Sequence, residues 1–315
     1  MHGTTPTIEL APAPNTIRGP TKEAGMRVLL LAFLAMLLMA PSCGKSPEQS
    51  ASNPPATTLP QPPHAEETAK AALDSSPRHG EMVDVPFTDS SGKTDSLRTW
   101  IVYPERADKA GVVVIIHEIF GLSDWIRGVA DQLAAEGFIA VAPDLITGLG
   151  PNGGGTESVA SRDEVVQLIR NLTPEMAKSR LDAVRAWATK LPAANGKVAA
   201  IGFCWGGSRS FEYAASEPPI QAAVVYYGTA PDSATLLRVQ APVLAHYGGD
   251  DARVDATIPP AEAEMKRLGK TYRPHVYDGA GHGFLRDQNG RDGANRRATE
   301  QAWPATVAFF KENLK

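Results

Sequence analysis

Residues Val198–Gly207 read VAAIGFCWGG, an apolar strand-like run that ends at Gly202-Phe203-Cys204-Trp205-Gly206-Gly207. In a Gly-x-nucleophile-x-Gly pattern the nucleophile stands in a strained turn between a strand and a helix. The residues two positions to either side must lack bulk so that strand and helix can approach. Serine usually holds the central place, and here it is Cys204. Such a turn projects the side chain into a cleft and aims backbone N–H groups and the helix N-terminus at it. Those donors hold an oxyanion, and the helix dipole favours a thiolate. A free cysteine is otherwise most often a buried packing residue. The place of Cys204, after an apolar strand and before a helix, sets it apart from that reading.

Working outward, strands alternate with helical stretches. Arg98–Tyr103 reads as a strand. Val112–Ile116, VVVII, is a β-branched run suited to a strand buried on both faces. Trp125, Val129 and Leu133 recur every four residues, as on one helix face. Phe138–Ala142 is the next strand, closed by Pro143-Asp144. Helices are expected over 162–171 and 174–190, the second opening with Thr173-Pro174 as cap and first-turn proline. Val198–Phe203, Ala222–Tyr227, Val243–Tyr247 and His275–Tyr277 are further short strands. A closing helix near Ala294–Leu314 should be interrupted or kinked by Pro304. This alternation predicts an α/β fold for 81–315, a mainly parallel central sheet covered by helices on both faces. Ligand sites in such folds lie at the carboxyl ends of the strands.

Composition narrows the function classes. The chain has 315 residues, with 31 Lys and Arg against 35 Asp and Glu, a formal net charge of -4. A nucleic-acid binder would carry a basic excess or stripe. The hydrophobic share of 43% is that of a globular protein rather than a multi-span membrane protein. Two cysteines, Cys43 and Cys204, exclude a disulfide framework and a cysteine-rich zinc site.

The long apolar run, Val28–Ala40, has thirteen residues. A bilayer-spanning helix needs about 20, and thirteen fits the core of a secretory signal. Arg27 precedes it and small residues follow. Counted from Met26, 17 residues precede Cys43, a typical signal length, so Met26 is the expected start of a signal region within 1–42. The run ends in Ala40-Pro41-Ser42-Cys43, which resembles the lipobox of bacterial lipoproteins, although Ala40 stands where leucine is usual. Cys43 is therefore a candidate lipidation site, and an ordinary signal peptide is the alternative. Residues 41–80 hold eight prolines and six serines but no Phe, Trp or Tyr. Such a stretch buries too little apolar surface to offset chain entropy, so 43–80 reads as an extended tether. The expectation is an exported enzyme at the cell envelope or periplasm, touching a membrane only through a lipid anchor.

A cysteine nucleophile needs a base. His282, in Gly279-Ala280-Gly281-His282-Gly283-Phe284, sits in a glycine-flanked loop after a strand, a place packing explains poorly. His246 and His275 lie inside strands and read as structural. A third group must orient the histidine. Asp250 or Asp251, after the strand ending at Tyr247, could reach it, with Asp255 a weaker candidate. The chain order nucleophile, acid, histidine is that of the α/β-hydrolase fold.

These motifs together resemble the dienelactone hydrolase family over most of 81–315. The resemblance rests on His117-Glu118-Ile119-Phe120-Gly121, Ala142-Pro143-Asp144-Leu145, the Cys204 turn, Gly249-Asp250-Asp251 and Gly281-His282-Gly283-Phe284. It implies hydrolysis of cyclic or activated carboxylic esters without metal or cofactor, and it places the triad acid on Asp251. It implies that Glu118 lies beside the cysteine and helps turn thiol into thiolate when substrate enters. An acid at the end of a buried strand is costly unless used, which agrees. Backbone N–H groups of Ile119 and Trp205 would be the oxyanion donors. Arg286 resembles the arginine that holds a substrate carboxylate, against the plainer reading of a surface arginine paired with Asp287 or Asp292. His117, often glutamine in the family, is either a second titrating group or an orienter of its loop. The glycine-rich stretch Thr147–Ser158 is either a lid or an ordered rim.

The leading function is a carboxylic ester or lactone hydrolase with a Cys-His-Asp triad and an acyl-cysteine intermediate, acting on a small molecule. The alternatives are a thioesterase or acyltransferase with the same triad, or a degenerate binding domain at the envelope.

Overall fold

The computed structural model describes residues 59–315, apart from 89–91 and 93. The expected signal region, Met26 and Cys43 lie outside the described residues. In chain order the elements are α1 (Glu66–Asp74), β1 (Gly80–Thr88), β2 (Thr94–Val102), β3 (Ala110–Ile116), α2 (Asp124–Ala135), β4 (Ile139–Pro143), α3 (Arg162–Arg170), α4 (Pro174–Ala188) and β5 (Ala194–Phe203). There follow α5 (Trp205–Tyr213), β6 (Ala222–Tyr226), α6 (Ser233–Arg238), β7 (Val243–Gly248), α7 (Ala252–Asp255), α8 (Ile258–Arg267), β8 (Tyr272–Tyr277) and α9 (Ala294–Asn313). Three single turns of 3₁₀ helix lie in the loops, at Pro151–Gly153, Thr156–Ser158 and Arg291–Gly293.

The strands form one sheet in the order β1-β2-β4-β3-β5-β6-β7-β8. β1 and β2 run antiparallel at one side, and β4 through β8 are parallel. The β-branched run of β3 lies at its heart with every residue buried. Val112, Val114 and Ile116 face one layer with Leu181, Phe211 and Met265 of α4, α5 and α8. Val113 and Ile115 face the other with Trp125, Trp303 and Phe310 of α2 and α9. Each such large apolar side chain contributes about 1.5–3 kcal/mol on leaving water. The two-sided burial explains why β3 shows no alternation with polar residues.

Local signals set the helix starts. The Ser123 hydroxyl accepts from Ile126 N–H at 3.4 Å to open α2, whose Trp125, Val129 and Leu133 are buried as their spacing requires. Thr173 accepts from Met176 N–H at 3.2 Å ahead of Pro174, opening α4. α9 departs from expectation, because it continues through Pro304 as one helix. Its buried face, with Trp303, Val307 and Phe310 on both sides of the proline, holds it to the sheet despite the missing donor.

The largest correction concerns the tether. Residues 59–80 belong to the folded body, so the domain does not begin at residue 81. Ala65 and Ala69 of this segment are buried, and Ala69 packs against Gly128 of α2, where an added Cβ would stand 4.0 Å away. Polar anchors complete the attachment. The Gln288 amide donates to Pro63 O at 2.7 Å, and Arg78 pairs with Asp131 at 2.6 Å. Small-residue packing and distant ion pairs take the place of the aromatic anchors whose absence suggested a free spacer.

Candidate active site

Cys204 lies between β5 and α5 with φ 56° and ψ −115°, a strained conformation for a non-glycine residue. The close approach that the glycines permit is severe. A Cβ on Gly202 would stand 1.9 Å from Gly206 O, and one on Gly206 would stand 2.2 Å from Ile116 O. Cys204 N–H donates to Tyr226 O at 3.0 Å, fixing the turn to β6. Its thiol is pushed up to about 11, first by burial and then by the nearby charge of Glu118. The Trp205 N–H at the helix start, Arg253 and Arg286 pull the other way and lose. The resting group is therefore a thiol, contrary to what the helix dipole alone suggests.

His282 Nδ1 lies 2.5 Å from Asp251 Oδ2, with Asp251 nearly buried and the ring about one-third exposed. Asp250 points elsewhere and pairs with Arg291 at 2.9 Å. The structure thus brings Asp251, not Asp250, to the histidine, and Asp255 lies beside Asp251 rather than on the ring. The Gly281 N–H donates to Asn295 Oδ1 at 2.9 Å, which anchors the histidine loop to α9. His282 also packs on Tyr227, with ring centroids 5.1 Å apart.

Glu118 opens the turn after β3, where its carbonyl accepts from Gly121 N–H, and its side chain is 4% exposed. Burial raises its carboxyl to about 7, and the Arg286 guanidinium and Tyr227 hydroxyl only partly offset that rise. Arg286 Nε stands 2.8 Å from Glu118 Oε2, an ion pair whose angle makes no aligned hydrogen bond. Arg286 also pairs with Glu66 of α1, and neither Asp287 nor Asp292 is its partner. Ile119 N–H donates to no acceptor among the described residues, and Trp205 N–H points at the Cys204 sulfur. Neither N–H meets a protein oxygen among the described residues.

His117 proves to be an orienter. Leu145 N–H donates to its Nε2 at 3.1 Å, so Nδ1 carries the proton and donates to Glu118 O at 2.8 Å. Complete burial lowers its pKa, so the ring stays neutral. The 147–158 stretch is an ordered rim. Asp144 accepts from Thr156 N–H at 2.6 Å and from its hydroxyl at 2.9 Å, and Gly148 and Gly150 both donate to Gly154 O. Sequence reading missed Tyr227, Arg253, Arg162 and Glu66. A positive φ of 40° at Tyr227 and its place after β6 follow only from the fold.

A mainly parallel sheet with a glycine-bracketed strand–turn–helix at Cys204 and an Asp–His pair in the loops after later strands defines an α/β-hydrolase fold. The family model for the dienelactone hydrolase family matches residues 97–314. The chain belongs to the dienelactone hydrolase family, and it is a hydrolase of ester or lactone bonds acting on a small molecule. A Saccharolobus solfataricus protein assigned as a carboxymethylenebutenolidase is 29% identical over 261 residues, covering 73% of this chain and 98% of that one. Carboxymethylenebutenolidase 1 of Cupriavidus pinatubonensis is 32% identical over 202 residues, covering 61% of this chain and 86% of that one. Among solved structures, a Klebsiella pneumoniae protein assigned as a dienelactone hydrolase superposes with a TM-score of 0.63 at 25% identity, covering 75% of this chain and 99% of that one.

Proposed function

We propose that the hydrolysis proceeds through an acyl-cysteine on Cys204, with His282 and Asp251 as its partners and Glu118 as the proton acceptor of the thiol. The observation that carries this reading is the convergence of the Cys204 turn, the 2.5 Å His282–Asp251 contact and a buried Glu118 at the carboxyl ends of neighbouring strands. A substrate carbonyl docks with its oxygen toward the Ile119 and Trp205 N–H groups. The thiol proton passes to Glu118, and the thiolate forms the new C–S bond. The tetrahedral oxyanion collapses and breaks the C–O bond of the ester. The leaving oxygen takes its proton from solvent. The His282 ring, its Nδ1–H held by Asp251, then takes a proton from an attacking water at Nε2 and returns it to solvent. Thiolate leaves on the second collapse and regains its proton from Glu118, so one ester and one water become one acid and one alcohol. Arg286, paired with Glu118, is the cation on which an acidic group of a substrate would dock.

The test is turnover of 4-nitrophenyl acetate before and after thiol alkylation, followed across pH. Glu118 must be ionised to accept the proton, so kcat/KM should rise as pH climbs through about 7. Glu118→Gln should lose most of the rate and that ascending limb. Undiminished turnover after complete alkylation of Cys204 would remove the mechanism.

We also propose that the mature chain begins at a lipidated Cys43. Several acyl chains anchor firmly where one binds marginally. Mass spectrometry of the membrane fraction should find a modified Cys43 at the N-terminus. A soluble mature form beginning elsewhere would replace this with ordinary export.

A further inference from the structure

Glu66 opens α1, and its carboxylate bridges two guanidiniums, Arg162 at the start of α3 and Arg286 beyond His282. Both guanidiniums lie over the Phe120 ring, Arg162 at 4.3 Å and Arg286 at 5.3 Å from its centroid. Arg286 reaches Glu118 at 2.8 Å, and the Glu118 charge acts on the Cys204 thiol. Two cations therefore converge on one carboxylate at the mouth of the site, and that carboxylate comes from the chain's own N-terminal segment.

The arrangement is fixed from the backbone outward. Glu66 N–H donates to Arg286 O at 3.0 Å, the Asn289 amide meets Glu67, and Gln288 holds Pro63. At the far end Arg78 and Ser76 both bind Asp131. The charges close as well. With Glu118 ionised, Glu66 and Glu118 balance Arg162 and Arg286, and partial burial together with the neighbouring Arg286 holds Arg162 below its ordinary range. The two guanidiniums thus crowd each other and need an anion between them. A substrate carboxylate brought to the same pair must displace Glu66 or become a third anion facing two cations. An uncharged ester meets no such competitor. Beside Glu66 and Arg162 opens a cleft of about 500 Å³ whose wall sets Phe120, Leu122 and Val165 beside Lys70, Arg127 and Glu157.

We propose that Glu66 is the specificity-determining residue for substrate charge: it occupies the Arg162–Arg286 pair as a substrate carboxylate would, and biases the enzyme toward uncharged esters and lactones. The proposal rests on the hydrolase reading above.

The test compares mono(4-nitrophenyl) glutarate with its uncharged methyl ester on the whole chain. Two ratios of acid over methyl ester are measured: kcat/KM in the active protein, and affinity by calorimetry in the Cys204→Ala background. Glu66→Gln should shift both ratios toward the acid by about tenfold or more, the scale of a charge-assisted contact regained. Adding Arg286→Ala should cancel the shift. Glu67→Gln, on the same helix but away from the arginines, should keep the wild-type ratios. Unchanged ratios in Glu66→Gln overturn the proposal, as does an equal shift from Glu67→Gln, which would trace the effect to a loosened helix. Absence of turnover on both esters in the wild type overturns the hydrolase reading alone, and the affinity ratio still decides for or against Glu66.

Discussion

Cys204→Ala should lose at least about 10⁴-fold in kcat/KM for every ester, while its thermal transition stays close to that of the wild type. The reason is local. The methyl of alanine occupies the same strained backbone as the native residue, so the turn at φ 56° is neither better nor worse tolerated. Only the sulfur is lost, and with it the one atom able to form the acyl bond. Cys204→Ser should retain weak activity, because a hydroxyl demands a stronger base than a thiol. A calorimetric scan beside steady-state kinetics separates loss of chemistry from loss of fold. Near-wild-type rates in a folded alanine variant would refute the proposed nucleophile.

His282→Ala should lower steady-state turnover by roughly 10³–10⁴-fold, and its pre-steady-state trace should be the informative part. 4-Nitrophenolate leaves without a proton, so acylation of Cys204 survives, whereas water activation does not. One equivalent of nitrophenol per enzyme should appear and then stop, with an acyl adduct on Cys204 visible by mass. The double variant His282→Ala/Asp251→Asn should be little worse than His282→Ala, since the aspartate acts only through the ring it holds at 2.5 Å. Asp250→Asn should be mild, because that residue is half-exposed and paired with Arg291. A crippled Asp250→Asn beside a mild Asp251→Asn would reverse the assignment.

Much of the architecture could be read from residue order alone. The VVVII run of β3 and the glycine-bracketed Cys204 are local signals, each demanded by a steric or burial rule acting within a few residues. β1 escaped notice because GEMVDVPFT carries Pro86 and two acids, which a sheet edge tolerates and a central strand does not. Spacing could not separate Asp250 from Asp251, because adjacent side chains in a turn point to different sides. Glu66 was hidden for another reason. Its segment has the composition of a spacer, and what holds it down is a set of partners more than two hundred residues away, Arg286, Gln288 and Asn289. The helix dipole by itself points to a thiolate because it is a local argument. Burial and the Glu118 charge belong to the assembled fold.

The protonated thiol also decides how long the enzyme lasts among oxidants. Peroxides attack thiolate rather than thiol. With the Cys204 thiol pushed up to about 11 by burial and the Glu118 charge, little of the protein carries the reactive anion at neutral pH. Between turnovers the sulfur is therefore shielded from conversion to sulfenic acid. Among the described residues no second cysteine stands by to rescue it through a disulfide. A nucleophile that ionises only while the proton is being handed to Glu118 exposes itself in proportion to its workload. Oxidative wear should then count catalytic cycles rather than hours, and an idle enzyme should age slowly.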